Sequence, residues 1–176
     1  YGASKLAAEA LLGAFAHLWG IRAWIFRPAN VVGSGQRHGI LKNLFDQLGE
    51  RRGRLFIWGD GEQRKTYIHV ADCIDGMLFA WRHARRGLVQ CFNISTRGTT
   101  SVNEIVELLK RECHLSDLRV TRAKKGHAAP GDVPFITLST RKLTELGWRA
   151  RGGSEETVRR VIREMRDNLS QIPRLK

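Results

Sequence analysis

Helix-period segments alternate along this chain with short apolar runs, and this alternation constrains the fold more than any other feature of the sequence. Apolar residues recur at helical spacing over residues 2–19, just before Gly20, which predicts a helix with one buried face. The runs IRAWIF and VQCFNIS are too short to be helices, and they predict buried strands. Helices that alternate with such strands indicate an α/β protein.

Local patterns predict the remaining elements. Ser101 and Glu104 form an S-x-x-E pattern, which predicts a capping box at the start of a helix. Two β-rich runs on either side of Asp60-Gly61 predict a hairpin. Further helices are predicted at 40–48, 72–84, 140–146 and from Ser154 onward, and a strand at 118–122. The apolar stripe of the last helix is formed by Val158, Val161, Ile162, Met165 and Leu169. Core or hinge packing is predicted for Met77, Trp58, Trp81 and Trp148.

The composition indicates a globular protein of the cytoplasm. With 176 residues, 42% of them hydrophobic, the chain can bury one substantial core. Cys73, Cys91 and Cys113 are far apart and form no CxxC pair, so neither a disulfide framework nor a metal site is predicted. No stretch reaches the roughly 18 apolar residues of a membrane span. A reducing cytoplasm and no membrane partner are therefore expected.

The formal net charge of +13 favours anionic partners, which include nucleic acid, anionic lipid and nucleotide diphosphates. The excess of Lys and Arg is spread over both halves of the chain, and the aromatic residues lie in apolar runs rather than as stacking platforms. We therefore expect no specific nucleic-acid partner. A non-catalytic basic module that binds nucleic acid stays as an alternative of a different class.

Six short motifs occur in a characteristic order. They are YGASK at 1–5, RPANVVGSGQ at 27–36, GDGEQRKTYIHVAD at 59–72, FNIS at 92–95, PGDVP at 130–134 and LGW at 146–148. Together they resemble the extended short-chain dehydrogenase/reductase superfamily, and within it the NAD-dependent nucleotide-sugar epimerases and dehydratases. The resemblance covers nearly the whole chain.

The resemblance implies that this chain is the C-terminal portion of such an enzyme. In the family, the catalytic tyrosine follows a dinucleotide-binding half with a glycine-rich turn, and these 176 residues contain no such turn. The implied fold is the C-terminal part of a Rossmann-like doubly wound sheet plus a smaller α/β substrate-binding region. Residues 1–38 would end the dinucleotide-binding domain, and residues 39–176 would mainly bind the nucleotide sugar, with about 68–95 returning to the Rossmann sheet.

Tyr1 and Lys5 are the predicted catalytic residues. They stand at i and i+4, so on a helix they share a face. A nearby ammonium favours the phenolate form of a tyrosine, which can accept a proton. The resemblance implies that Tyr1 takes a proton from a sugar hydroxyl while hydride leaves the same carbon for nicotinamide, and that both residues contact the cofactor. The alternative is a frayed terminal Tyr1 and a surface Lys5, which we expect in the isolated chain.

The loop after the first strand supplies further candidates by the same resemblance. Pro28, Ala29 and Val31 would line the nicotinamide side, while Asn30 and Gln36 would contact the substrate. A turn residue that caps its own backbone is the other interpretation of Asn30. The implied cofactor is NAD, and NADP stays open.

Lys65 and Asp132 complete the predicted substrate pocket. Lys65 stands where the family has an arginine that grips the substrate diphosphate, and lysine offers a point charge rather than a bidentate fork. Neighbouring residues on a strand face opposite ways, so only one of Arg64 and Lys65 can point into the pocket, and we predict that it is Lys65. The alternative is that both residues are solvent-exposed charges. Ala129 replaces an arginine of the Pro-Gly-Asp loop, and Asp132 also fits a turn or N-cap role.

The expected function is NAD(P)-dependent nucleotide-sugar epimerisation of the 4-epimerase type. A Tyr-Lys pair and the cofactor can oxidise, rotate and re-reduce a sugar by themselves. A dehydratase or decarboxylase of the same family is the alternative, and it would need additional acids or bases. The expected partner is a nucleotide-diphosphate sugar, with a homodimer for the full-length parent, and the isolated chain is expected to be inactive.

Overall fold

The computed structural model describes residues 1–50, 53–123 and 133–170. The helices within them are α1 Gly2–Trp19, α2 Ile40–Glu50, α3 Val70–His83, α4 Val102–Glu112, α5 Arg141–Glu145 and α6 Ser154–Ser170. The strands are β1 Ala23–Pro28, β2 Asn30–Val32, β3 Arg54–Ile57, β4 Arg64–Lys65, β5 Tyr67–His69, β6 Val89–Ile94, β7 Thr100–Ser101, β8 Arg119–Arg122 and β9 Phe135–Ile136.

Most strand pairs in the structure are parallel. β1 pairs with β6, β2 with β5 and β3 with β8, each in parallel, while β4 lies between antiparallel β7 and parallel β9. Parallel pairs require crossover connections, and helices supply several of them here. The α/β prediction is therefore confirmed. The carboxyl ends of paired parallel strands meet at one edge, which is where such folds bind ligands.

Two hydrophobic clusters stabilise the fold. The first lies between α2, α4, α6 and strands β3 and β8, and its fully buried members include Leu41, Leu44, Leu55, Ile105, Val106, Leu109, Val158, Val161 and Ile162. The second lies between β1, β6, α3 and the α5 segment, and it contains Ile68, Cys73, Ala80, Ala84, Phe92, Ile94, Leu143 and Trp148. The predicted apolar stripe of α6 is confirmed over Val158–Met165, since its apolar residues there are buried. The side chain of Leu169 lies outside the described residues.

Side-chain caps fix the starts of two helices. The predicted capping box of α4 is confirmed: the amide of Glu104 donates to Ser101 Oγ at 3.1 Å, and the amide of Ser101 donates to Glu104 Oε2 at 2.8 Å. His69 caps α3, because its Nδ1 accepts the Ala71 amide at 3.1 Å while its Nε2 lies 3.2 Å from Glu164 Oε2. The His69 contact joins α3 to α6.

The hairpin predicted at Asp60-Gly61 is wrong. β3 and β4, on either side of this turn, do not pair with each other: β3 pairs with β8, and β4 with β7 and β9. Asn103, near the start of α4, holds the turn instead, since its amide donates to Gly61 O at 3.0 Å and its side chain to Asp60 O at 3.0 Å. Contacts distant in sequence therefore decide the strand partners.

The predicted burial of α1 and of two tryptophans is also wrong. Ala16 is the only fully buried residue of α1, and Leu6 and Leu18 are 66% and 72% exposed, because α1 packs on β1 with one side and leaves the other open. Trp58 and Trp81 are exposed as well. Strand β1 is half-buried rather than buried. None of the described helices is both long and apolar enough to cross a bilayer.

Trp148 packs closely on α3. Its indole Nε1 donates to Asp75 Oδ2 at 2.9 Å, and its ring lies against Gly76. A Cβ atom at Gly76 would lie 3.0 Å from two ring atoms, which is closer than ordinary contact. The approach of α3 and the segment after α5 therefore depends on a glycine at position 76. The predicted core role of Trp148 is confirmed by its 6% exposure.

Candidate functional site

A cleft of about 380 Å³ lies at the carboxyl end of β1. Its lining residues are Tyr1, Arg27, Pro28, Ala29, Asn30, Thr66, Ile136 and Leu138. They come from the start of α1, the β1–β2 connection, the β4–β5 connection and the segment around β9. Four residues predicted from sequence thus share one cleft: Tyr1, Pro28, Ala29 and Asn30.

Tyr1 stands at the rim of this cleft as the N-cap residue of α1. Its carbonyl oxygen accepts the Lys5 amide at 3.1 Å and the Ser4 hydroxyl at 2.7 Å, which begins the helix. Lys5 lies one turn further, with Nζ 5.3 Å from the centroid of the Tyr1 ring. Tyr1 is 96% exposed, so its phenol is open to solvent. The pair shares one helical face at the open edge of the cleft.

Arg27, at the end of β1, is a lining residue that the sequence prediction did not include. Its Nε donates to Glu9 Oε1 at 2.8 Å, and its Nη2 forms an ion pair with Glu9 Oε2, which ties β1 to α1. This hydrogen-bonded pair lowers the pKa of Glu9 below its ordinary value and raises the pKa of Arg27 above its own. The sequence signal that could have identified Arg27 was its place directly before Pro28 in the RPANVVGSGQ motif.

Asn30 and Thr66 meet across the floor of the cleft. The backbone amide of Asn30 donates to Thr66 O at 3.2 Å, and its side-chain Nδ2 donates to the same oxygen at 3.0 Å. The side chain therefore bonds a neighbouring segment rather than its own turn. Thr66 was missed because its proximity depends on the pairing of β2 with β5. Ile136 and Leu138 carry no sequence signal, and they reach the cleft because β9 pairs with β4.

Val31 and Gln36 lie outside the cleft lining among the described residues. Val31, the central residue of β2, is 39% exposed. Gln36 closes a turn with Gly33: its backbone amide donates to Gly33 O at 3.1 Å, and its Oε1 accepts the Gly33 amide at 3.4 Å. Its side-chain Nε2 is buried without a hydrogen-bond partner in the described part of the chain.

Lys65 is half-buried on β4, next to the cleft residue Thr66. It lies in register with Thr100 on β7 and Ile136 on β9. Arg64, the preceding residue, makes a two-point ion pair with Glu104 on α4. The two basic side chains of this strand thus lie in different surroundings.

Asp132 lies outside the described residues, as does Ala129 of the same loop. Within the described residues, no three His, Cys, Asp or Glu side chains are grouped closely enough to hold a metal ion.

Parallel strand pairs, flanking helices and a cleft at the carboxyl end of a strand define a Rossmann-like α/β protein. The family model described as the NAD dependent epimerase/dehydratase family matches residues 1–95. The chain belongs to this family, as its sequence motifs predicted.

Individual relatives agree with the family match. The chain is 29% identical over 176 residues to a putative UDP-glucose 4-epimerase of Methanocaldococcus jannaschii, covering 96% of this chain and 53% of the relative. It matches the solved UDP-glucose 4-epimerase of Thermotoga maritima with UDP-glucose at TM-score 0.80 and 28% identity, over 96% of this chain and 54% of that one. MoeE5 in complex with UDP-glucuronic acid and NAD matches at TM-score 0.80 and 32% identity, over 96% and 56%. The chain spans about half the length of the curated relatives it matches.

Proposed function

We propose that this chain is the catalytic and substrate-binding part of an NAD-dependent nucleotide-sugar 4-epimerase. The observation that carries the proposal is Tyr1, with Lys5 beside its ring, at the rim of a cleft walled by Pro28, Asn30 and Thr66. A tyrosine and a lysine one helical turn apart provide a proton acceptor and a positive charge at the same point. Membership of the family supports the same chemistry.

Each residue of the pair has a separate task. Tyr1 would accept the proton of a sugar hydroxyl as hydride leaves the carbon that bears it, and would return the proton to the same oxygen after the keto sugar has rotated, so that hydride is returned to the opposite face of that carbon. Lys5 supplies positive charge beside the phenol and a donor for the nicotinamide ribose. Bound NAD supplies the acceptance and return of the hydride.

The residues present fit the nicotinamide end of the cofactor. Pro28 and half-buried Ala29 give the cleft an apolar wall next to Tyr1, and Val31 extends the same segment. The 176 residues contain no G-x-G-x-x-G turn to cradle the pyrophosphate. We therefore propose that this chain alone has negligible NAD affinity and no turnover, in keeping with the 96% exposure of Tyr1.

We propose an epimerase rather than a dehydratase or decarboxylase because epimerisation requires the fewest ionisable groups. Tyr1 and Arg27 are the ionisable side chains among the described lining residues of the cleft, and Arg27 is engaged by Glu9. Epimerisation at one carbon needs no acid or base beyond the Tyr-Lys pair. Elimination or decarboxylation needs further groups to move protons.

We propose a nucleotide-diphosphate sugar as the substrate. Lys65 is assigned to the diphosphate, because it is half-buried beside Thr66 and its neighbour Arg64 is held by Glu104. Asn30, which lines the cleft, and Gln36, which lies outside the cleft lining, are assigned to the sugar on the family resemblance. Asp132 is assigned to the same pocket. The solved relatives that hold UDP-glucose and UDP-glucuronic acid support this class of substrate.

A two-part organisation accompanies this assignment. We propose that residues 1–38 and about 68–95 belong to the dinucleotide-binding sheet, and that most of 39–176 binds the nucleotide sugar. The presence of two separate hydrophobic clusters supports such a division. The exposed apolar face of α1 is in keeping with a homodimer of a longer parent protein, which would bury apolar surface of this kind.

Isothermal titration of the 176-residue chain with UDP-glucose and with NAD tests whether this chain alone binds the substrate but not the cofactor. We expect measurable UDP-glucose binding, weakened in Lys65→Gln, and no measurable NAD binding. Micromolar NAD affinity would overturn the proposed inactivity of the chain alone. An affinity for arbitrary oligonucleotides that falls with salt and is not competed by UDP-glucose would favour the basic nucleic-acid module instead.

Catalysis is tested in a longer protein that carries these 176 residues and an NAD-binding half. Tyr1→Phe should lower kcat by about 100-fold or more, because general acid–base catalysis contributes roughly 10²–10⁴-fold. Ser4→Ala, which removes a neighbouring hydroxyl, should leave kcat unchanged. Full turnover in Tyr1→Phe would refute the proposal, and NMR of the product distinguishes an epimer from a dehydrated keto sugar.

A further inference from the structure

A second cleft, of about 270 Å³, lies beside the carboxyl end of β6. It is lined by Ser95, Thr96, Arg97, Thr140, Thr144, Trp148, Arg149 and Ala150. One wall is the loop that follows β6, and the other is α5 with the turn after it. It shares no lining residue with the Tyr1 cleft.

The charge of this cleft is positive and uncompensated. Arg97 and Arg149 come from opposite walls, and no acidic side chain is among the described lining residues. Neither arginine has an ion pair within the described part of the chain, whereas Arg141 on the same α5 segment pairs with Glu145 at 2.8 Å. Both arginine residues line the cleft and are exposed to solvent, and an anion in the cleft would be attracted to both guanidinium groups.

Hydroxyl groups complete the donor set. Thr140, the N-cap residue of α5, makes no side-chain cap hydrogen bond, and Thr144 lies one helical turn further on the same helix. The Thr96 hydroxyl already donates to Tyr67 O at 2.9 Å, and Ser95 Oγ to Thr96 O at 3.4 Å. Thr140 and Thr144 are therefore the hydroxyl donors that remain for a ligand.

The walls of the cleft are held in place without a ligand. Lys142 Nζ donates to Cys91 O and Asn93 Nδ2 to Ser139 O, each at 3.0 Å, which attaches the α5 segment to β6. The Trp148 ring is fixed by its bond to Asp75. The walls of the cavity are therefore ordered before a ligand binds, which favours affinity, whereas the exposed side chains of Arg97 and Arg149 would become ordered on binding.

We propose that this cleft binds a small phosphate-type oxyanion, held by Arg97 and Arg149 with the hydroxyls of Thr140 and Thr144. Arginine forks bind oxyanions with two parallel hydrogen bonds, and a tetrahedral phosphate offers enough oxygens for two forks and two hydroxyls. The cavity is smaller than the roughly 300–1,000 Å³ of sites for drug-sized ligands, which suits a compact anion. The site is independent of the nucleotide-sugar cleft and of its proposed chemistry.

Titration of the 176-residue chain with inorganic phosphate at constant ionic strength, followed by calorimetry, tests the proposal. We expect saturable binding of one phosphate, weakened at least about tenfold in Arg97→Gln and in Arg149→Gln, since each variant removes a charged hydrogen-bond donor. Arg141→Gln is the matched control and should retain the wild-type affinity. Absence of saturable binding, or unchanged affinity in both cleft variants, would overturn the proposal.

Further arms separate this site from other sources of anion binding. Sulfate, which has the same shape, should compete with phosphate, whereas planar acetate should compete poorly. Lys65→Gln should leave the phosphate affinity unchanged. If UDP-glucose displaces phosphate at a one-to-one ratio, the phosphate is bound in the Tyr1 cleft and the proposal is refuted. If Arg97→Gln fails to fold by circular dichroism, Arg97→Lys keeps the charge without the fork and should still weaken binding.

Discussion

Arg64 on β4 and Glu104 on α4 form a two-point ion pair, with Nη2 2.6 Å from Oε1 and Nη1 3.2 Å from Oε2. The same Glu104 carboxylate accepts the Ser101 amide in the capping box, so one side chain joins the strand to the start of the helix. Successive residues of a strand point to opposite faces. The bond to Glu104 therefore directs Arg64 towards α4 and Lys65 to the opposite face of β4.

Substitution of these two neighbours should have different effects. We expect Lys65→Gln to weaken UDP-glucose binding by about tenfold or more, because it removes a charged donor, while Arg64→Gln lowers stability and leaves the affinity nearly unchanged. Titration calorimetry measures the first effect and urea unfolding the second. Equal losses of affinity in the two variants would contradict the assignment of Lys65.

The Glu104 carboxylate should also contribute to acid sensitivity. Burial raises its pKa, but the Ser101 amide and the Arg64 guanidinium outweigh burial, so the pKa of Glu104 lies below its ordinary value. A carboxylate with a lowered folded pKa contributes stability above its unfolded pKa of about 4.3 and loses that contribution as the pH falls through the folded pKa. We therefore expect Glu104→Gln to lose less stability than the wild type between pH 6 and pH 3.

Urea unfolding at a series of pH values measures this difference. Gln keeps the acceptor of a capping box, so the variant preserves the helix start. The fall in stability should be reduced rather than abolished, because Glu112 beside Arg163 also has a lowered pKa. Glu107→Gln is the control, since that carboxylate makes an exposed pair with Lys110, and an identical acid response in both variants would count against Glu104.

His69 should stabilise α3 through both ring nitrogens. His69→Ala removes the acceptor for the Ala71 amide and the contact with Glu164, and the loss of an N-cap alone costs about 0.5–2 kcal/mol. His69→Asn restores a cap acceptor but not the Glu164 contact. We expect the Asn variant to be the more stable of the two in urea unfolding, and equal stabilities would mean that the cap is unimportant.

Substitution of a buried leucine and of an exposed leucine should change the stability by very different amounts. Leu109 on α4 is fully buried, so Leu109→Ala should cost about 2–5 kcal/mol of unfolding free energy. Leu18→Gln on α1 should change it by less than about 0.5 kcal/mol, because Leu18 is 72% exposed, and it should reduce aggregation. Differential scanning calorimetry and light scattering measure both, and a large destabilisation by Leu18→Gln would show that α1 packs more extensively.

Features that depend on local chemistry were predictable from the sequence. The capping box at Ser101 and Glu104 spans only two intervening residues and needs no distant partner, and it forms as expected. The alternation of helices and apolar strands likewise predicted the α/β class, and the order of the motifs predicted the family.

Features that depend on distant partners were not predictable. The turn at Asp60-Gly61 has hairpin chemistry, but Asn103 binds it from another element and the flanking strands pair elsewhere. Thr66 lies in the cleft because β2 pairs with β5, which brings the Thr66 carbonyl within hydrogen-bond distance of Asn30. Apolar periodicity in α1 predicted which residues share a face, but periodicity does not reveal whether another segment of the same chain covers that face.

At position 76, helix propensity and side-chain packing favour different residues. Inside a helix, alanine is favoured over glycine by about 1 kcal/mol, so backbone preference alone would replace Gly76. The indole of Trp148 fills the space that a methyl group would need. The Trp148 ring thus disfavours the Gly76→Ala substitution that helix propensity favours. An engineer who made this substitution for stability would displace the indole and thereby distort the arginine-lined cavity, which Trp148 also lines.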